Sequence, residues 1–130
     1  MLLADFGTSY CKILDTESRE EPRILPTRDL PLSFQADLAT GHNAARRSRR
    51  SINELTALAR GGKLLINRPD FVLLDCGSRD IKFVLFQNGE VVDMGWNAEC
   101  GASMGFTIEL LAQYYRLDYA AVPAPESGFS

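Results

Sequence analysis

Two stretches of this chain, seventy residues apart, carry the same chemical groups in the same order. Leu3-Ala4-Asp5-Phe6-Gly7-Thr8-Ser9-Tyr10-Cys11-Lys12 aligns with Leu73-Leu74-Asp75-Cys76-Gly77-Ser78-Arg79-Asp80-Ile81-Lys82. Asp5 meets Asp75, Gly7 meets Gly77, Thr8 meets Ser78 and Lys12 meets Lys82, a shared Asp-x-Gly-(Ser/Thr)-x-x-x-Lys. A glycine at a hairpin tip lets backbone N–H groups come close to an anion, and a neighbouring hydroxyl adds a donor. A carboxylate at the strand end can orient a hydrated magnesium ion, which takes carboxylate and phosphate oxygens and keeps several waters. Two such tips facing each other would clamp a triphosphate, and catalysis there is mostly positioning and charge stabilisation. One Asp-x-Gly after a strand is a common structural turn. Two copies in one short chain, each followed by a second apolar strand, make a repeat that bears on the whole fold.

The residues this pattern nominates are Asp5 and Asp75 for magnesium, and Gly7, Thr8, Ser9, Gly77 and Ser78 for phosphate. Lys12 joins them, although its place along the second strand leaves open which way it points. Other chemistries find less support. The lone histidine, His42, gives no Cys/His zinc knuckle and no choice of base for a Ser-His-Asp triad, and it reads as a loop residue. The three cysteines, Cys11, Cys76 and Cys100, have neither the even count nor the spacing of a disulfide framework. Cys11 and Cys76 read as small buried hydrophobes beside the turns.

Both copies must be positioned by strands. Leu2–Phe6 and Tyr10–Leu14 read as a hairpin around Gly7-Thr8-Ser9. Pro22 and Pro26 restrict a short strand at Arg23–Leu25 to an edge, and Leu32–Leu38 is a further strand. Residues 43–60 read as a helix capped by Asn43 and stopped by Gly61-Gly62. That places Arg46, Arg47, Arg49 and Arg50 near a helix N-terminus, as a solvated face. Lys63–Asn67 is extended, and Arg68-Pro69-Asp70 marks a boundary, giving lobes at 1–67 and 68–130. The second lobe restarts with strands at Phe71–Asp75, Ile81–Phe86 and Val91–Trp96, the last two joined by Asn88-Gly89. Trp96 reads as a core anchor. A helix runs from Cys100 to about Tyr115.

Length and composition fit one domain or two small lobes: 130 residues, 45% hydrophobic and 24% charged, as in soluble globular proteins. A net charge of −3 speaks against nucleic acid as a partner. Neither a membrane-spanning apolar run nor a signal-peptide pattern is present, so a cytoplasmic location is the default expectation.

The twin pattern resembles the two phosphate motifs of the actin-like ATPase superfamily, whose members include actin, sugar kinases and chaperone ATPases. Phe71 to Lys82 is similar to the Asp-Ile-Gly-Gly-Gln-Asp-x-Lys segment of the BadF/BadG/BcrA/BcrD type ATPases. Asn97-Ala98-Glu99-Cys100-Gly101-Ala102-Ser103-Met104-Gly105-Phe106 resembles their Asn-Asp-Lys-Cys-Ala-Ala-Gly-Thr-Gly-Arg segment, and Ala39-Thr40-Gly41 their Ala-Thr-Gly-Tyr-Gly-Arg segment. The resemblance implies an α/β, ribonuclease-H-like fold of two small lobes, each a hairpin-led sheet with helices packed on it. It implies ATP and magnesium as cofactors and adds Gly105 to the cofactor-binding set. It further implies a homodimer that shares one iron–sulfur cluster, with Cys100 as a ligand, and ATP-driven electron transfer to a 2-hydroxyacyl-CoA dehydratase or a reductase.

The sequence departs from that family in several places. Arg79 stands where the family has glutamine, and Ser103-Met104-Gly105 replaces Gly-Thr-Gly. The family's second ligand cysteine and its adenosine motif lie downstream of any counterpart here, so the expectation is part of a longer protein or a shortened relative. A non-catalytic actin-like module, kept for assembly or regulation, is the second reading.

Overall fold

The computed structural model describes residues 1–18, 20–97, 105–118, 121 and 123. Strand β1 (Leu2–Phe6) folds back on β2 (Tyr10–Asp15), and β3 (Arg23–Pro26) adds to β2, all antiparallel. Then β4 (Ala36–Gly41) joins the other edge of β1 in parallel, and β5 (Ser48–Ser51) joins β4 in parallel. The order is β3-β2-β1-β4-β5. Alternation along β1 and β2 sends Ala4, Phe6, Cys11 and Ile13 to one face, where they pack with Leu30, Ala36, Ala39 and Ala44. The Phe34 ring stands edge-on to Phe6 at 6.1 Å between centroids.

Helix α1 (Glu54–Leu65) leads to a second sheet of β6 (Phe71–Cys76), β7 (Ile81–Gln87) and β8 (Glu90–Trp96), in the order β6-β7-β8. This antiparallel meander reproduces the β1-β2-β3 part of the first sheet. The repeat therefore holds in the fold, down to register: Asp5 lies opposite Lys12, and Asp75 opposite Lys82. Asn88 and Gly89 both take positive φ, 53° and 77°, at the β7–β8 turn, as a two-residue hairpin of matching twist requires. Helix α2 (Gly105–Tyr115) follows.

Several expectations are corrected. The first sheet has five strands, and the strand expected at 32–38 lies at Ala36–Gly41. The expected helix at 43–60 is instead a single helical turn, β5 and the first half of α1. Asn43 sits at φ 60°, a left-handed turn conformation, and caps nothing. The cap is Asn53, whose Oδ1 accepts from the N–H groups of Leu55 and Thr56 at 2.9 and 3.4 Å. The arginines therefore lie on the turn and the edge strand β5, where charge discourages further strand pairing. Gly61-Gly62 does not stop the helix, which continues through Lys63 to Leu65. Gly62 is needed for packing, because a Cβ there would come within 2.6 Å of Leu73 Cδ2. Cys76 is exposed and Trp96 is 55% exposed, so neither is a core residue; Cys11 is fully buried, as expected. The part of the expected C-terminal helix at 100–104 lies outside the described residues.

Although α1 follows the first sheet, it rests on the second. Ala59 packs with Val84 and Phe86, with Leu58, Phe71 and Leu73 around them, and Phe71 stacks on Phe86 at 4.2 Å. At its N-terminus Glu54 pairs with Lys82 at 3.0 Å, and Lys82 also pairs with Asp80 at 2.8 Å. Lys82 is the buried charged side chain among the described residues. Burial alone would lower its pKa, but the hydrogen bonds to Asp80 and Glu54 outweigh burial and hold it above the ordinary lysine value.

Two outcomes follow for stability. Asn53→Ala removes the acceptor for two helix N–H groups and is expected to cost about 1 kcal/mol, read as a lower urea midpoint. Lys82→Met keeps the apolar stem and removes both ion pairs, for an expected loss of about 2 kcal/mol near neutral pH. A pKa raised by folding contributes stability that is complete below the unfolded lysine value, about 10.4, and is lost as pH climbs through the folded value. The gap between wild type and Lys82→Met should therefore hold from pH 7 to 9 and close in strongly alkaline urea titrations.

Candidate functional site

At the first tip, Gly7 is required by the chain's own path, because a Cβ there would run into the Tyr10 carbonyl oxygen. The tip is braced from β3 and the turn after it. Thr27 Oγ1 donates to the Gly7 carbonyl at 2.8 Å, and the Thr27 N–H donates to the Ser9 carbonyl at 2.9 Å. Behind the tip, Lys12 Nζ meets Asp5 Oδ2 at 3.0 Å, and both side chains are nearly half exposed. Lys12 thus points to the same side as Asp5. The cross-strand register settles this, because directly opposed residues share a face.

At the second tip the Gly77 N–H donates to the Asp80 carbonyl at 2.9 Å. Gly105 packs directly on this tip: a Cβ on it would lie 3.3 Å from the Gly77 oxygen and from Ser78 Cα. The Phe106 N–H donates to the Ser78 carbonyl at 2.7 Å, and the Arg79 guanidinium lies over the Phe106 ring at 5.7 Å. Gly77, Ser78 and Gly105 are therefore brought together by the docking of α2. Asp75 is exposed at the end of β6. Its cross-strand partner Lys82 is engaged elsewhere, with Asp80 and Glu54.

The two tips meet through α2. Ser9 Oγ donates to Glu109 Oε2 at 2.9 Å, across one hundred residues of sequence. Thr8, Ser9, Arg28, Arg79, Phe106 and Glu109 line a cavity of about 420 Å³ between the first tip and the helix. Asp5 and Lys12 face a different space, an apolar groove of about 300 Å³ over the first sheet, lined by Leu3, Ile13, Leu38, Thr40 and Ile52. A third cavity, of about 250 Å³, lies where the sheets adjoin, with Gly41 and Ile52 on one side and Asp80, Lys82 and Trp96 on the other. The structure thus gathers the tips' hydroxyl and glycine residues around α2 and sets the Asp5–Lys12 pair apart from Thr8 and Ser9.

Sequence reasoning missed Arg28, Glu54 and Glu109. Arg28 and Glu109 lie outside the repeated pattern, and Glu54 was absorbed into a helix read eleven residues too early. Cys100 lies outside the described residues. Burial, and next the charge of Asp5, push the Cys11 thiol up, which keeps it protonated and unreactive. Among the described residues no three His, Cys, Asp or Glu side chains cluster as a protein cage for a metal. No helix among them is long and apolar enough to cross a membrane.

No family model matches the sequence, and no curated protein matches it. Solved structures do. The chain is similar to component A of the (R)-2-hydroxyglutaryl-CoA dehydratase of Acidaminococcus fermentans, at 18% identity and a TM-score of 0.64, over 100% of this chain and 62% of that one. It is similar also to the ethanolamine utilization protein EutJ of Carboxydothermus hydrogenoformans, at 16% identity and a TM-score of 0.50, over 92% and 57%. It spans less than two thirds of the length of either. At these identities the likeness is one of fold alone, mixed α/β and ribonuclease-H-like, the actin-like fold.

Proposed function

We propose that this chain is the phosphate-gripping part of an actin-like ATPase of the dehydratase-activator type. The observation that carries the reading is the doubled hairpin, in which the same Asp, Gly, hydroxyl and Lys recur at the same register. Gly7, Thr8 and Ser9 on one tip, and Gly77 and Ser78 on the other with Gly105 against it, supply the phosphate contacts. Asp5 and Asp75 organise magnesium. A single carboxylate suits this ion, which takes its other ligands from phosphate and water. Lys12 balances Asp5 in the structure described; turning toward phosphate, it would leave that carboxylate to the hydrated ion. Bound there, magnesium would offset the charge of the phosphate.

The finer reading places Cys100 as a ligand of an iron–sulfur cluster shared in a homodimer, and a dehydratase or reductase as the electron acceptor. Its support is the Asn97 to Phe106 segment, which leads into α2 and so into the second tip. A non-catalytic module is the second reading, favoured by Arg79. It stands where the resembled family has glutamine, and it is held on Phe106.

Calorimetry with magnesium-ATP tests the site. Every contact named here is to phosphate or its metal, so affinity is expected near millimolar, roughly −4 kcal/mol. Asp5→Asn and Asp75→Asn should each weaken it by about tenfold. Equal binding in both variants would remove the carboxylates from the site, and no binding at millimolar ligand would leave the fold without the activity. Binding without phosphate release would select the non-catalytic module. For Cys100, anaerobic reconstitution with iron and sulfide is compared between wild type and Cys100→Ala. Visible charge-transfer absorption should fall in the variant, and a full cluster retained there would exclude the cysteine as a ligand.

A further inference from the structure

The Ser9–Glu109 hydrogen bond has no explanation in the doubled motif. A hydroxyl at a phosphate-gripping tip should serve a phosphate oxygen, yet here it serves a carboxylate from the chain's own helix, at 2.9 Å. Carboxylate and phosphate oxygens are equivalent acceptors for such a donor. They also carry the same sign, so one cannot occupy the other's place without repulsion.

The surroundings select an anion. Two guanidinium groups, Arg28 and Arg79, line the cavity against the single carboxylate of Glu109. The Arg28 side chain is 80% exposed and pairs with its sequence neighbour Asp29 at 3.7 Å. The Arg79 guanidinium lies over the Phe106 ring at 5.7 Å. At about 420 Å³ the cavity is within the size range of small-molecule sites.

We infer that this cavity takes the end of the phosphate chain beside Thr8 and Ser9, and that Glu109 is its resident anion, displaced when the ligand enters. This rests on the phosphate-binding reading above and names the groups that decide it. Arg28 and Arg79 receive the incoming charge, and Ser9 exchanges one acceptor for another. Because Glu109 gives α2 a hydrogen bond to the first tip, its displacement removes that bond and loosens the helix's hold there. The helix stays on the second tip through Gly105 and the Phe106 N–H. Ligand arrival is thereby converted into movement of α2.

The test compares wild type, Glu109→Gln and Arg79→Gln in the full chain, titrated with magnesium-ATP and, separately, with magnesium tripolyphosphate. Glutamine keeps an acceptor for Ser9 and removes the charge, so the fold should hold, and a thermal melt checks this. Glu109→Gln should bind about tenfold more tightly, and Arg79→Gln about tenfold more weakly. Equal gains for both ligands identify the triphosphate as the recognised group; a gain for magnesium-ATP alone identifies the nucleotide. Amide hydrogen exchange in α2 should rise when wild type binds ligand. If wild type binds and Glu109→Gln binds no more tightly, Glu109 is not a resident anion and the phosphate-binding reading stands without it. If neither protein binds either ligand, both readings fall.

Discussion

The arrangement depends on one buried ammonium. Lys82 stands at the base of the second hairpin tip and is held by Asp80 from that tip and by Glu54 from the start of α1. A lysine taken out of water needs carboxylate partners, and these two come from different elements. The pairing ties the tip's conformation to the entry of α1, which itself follows directly from the first sheet. Asn53 caps the helix one residue earlier and fixes the angle at which Glu54 is presented. Without this knot, the second sheet would keep its hydrophobic contact with α1 but lose its polar tie to the helix start.

The same motif therefore serves two purposes. In the first hairpin the lysine answers its own cross-strand aspartate, and both stay half exposed and free to exchange partners. In the second, burial under α1 draws the lysine away and leaves Asp75 exposed. A doubled sequence has become an unequal pair, with a half-exposed Lys12–Asp5 pair in one hairpin and a buried lysine turned to other partners in the second. Helix α2 spans both hairpins, docked by close backbone approach to the second tip and hydrogen-bonded to the first through Glu109 and Ser9.

Much of this was legible in the residues. The repeat, both hairpins, the Asn88-Gly89 turn and buried Cys11 follow from local rules: alternation, glycine at tight turns, and the left-handed preference of Asn-Gly. The helix boundary was not. Asn43 and Asn53 are equal candidates for a cap by composition, and the choice was made by β5, which needs residues 48–51 extended to pair with β4. Gly61-Gly62 reads as a stop because glycine disfavours helices. It is tolerated because Leu73 from another sheet fills the space where a Cβ would stand. Cys76 is apolar by type but lies opposite Ile81, on the face of the three-stranded sheet away from α1, whereas Trp96 lies opposite Lys82 on the α1 side, at the strand end, and is still 55% exposed.

For the site, the sequence by itself determined which groups are present twice: a carboxylate, a glycine tip, a hydroxyl and a lysine at fixed spacing. Those are set by strand period and turn chemistry, which act over a few residues. Only the tertiary structure decided their partners. Lys12 keeps Asp5 because they are opposed across one hairpin, whereas Lys82 leaves Asp75 because a helix from elsewhere brings Glu54 to within 3.0 Å. Glu109 reaches Ser9 because α2 docks on the opposite tip, a distance in sequence that no local pattern spans. Electrostatic partners are chosen by proximity and burial after folding, so the chain's motifs fix the chemistry available and its packing fixes which of it is engaged.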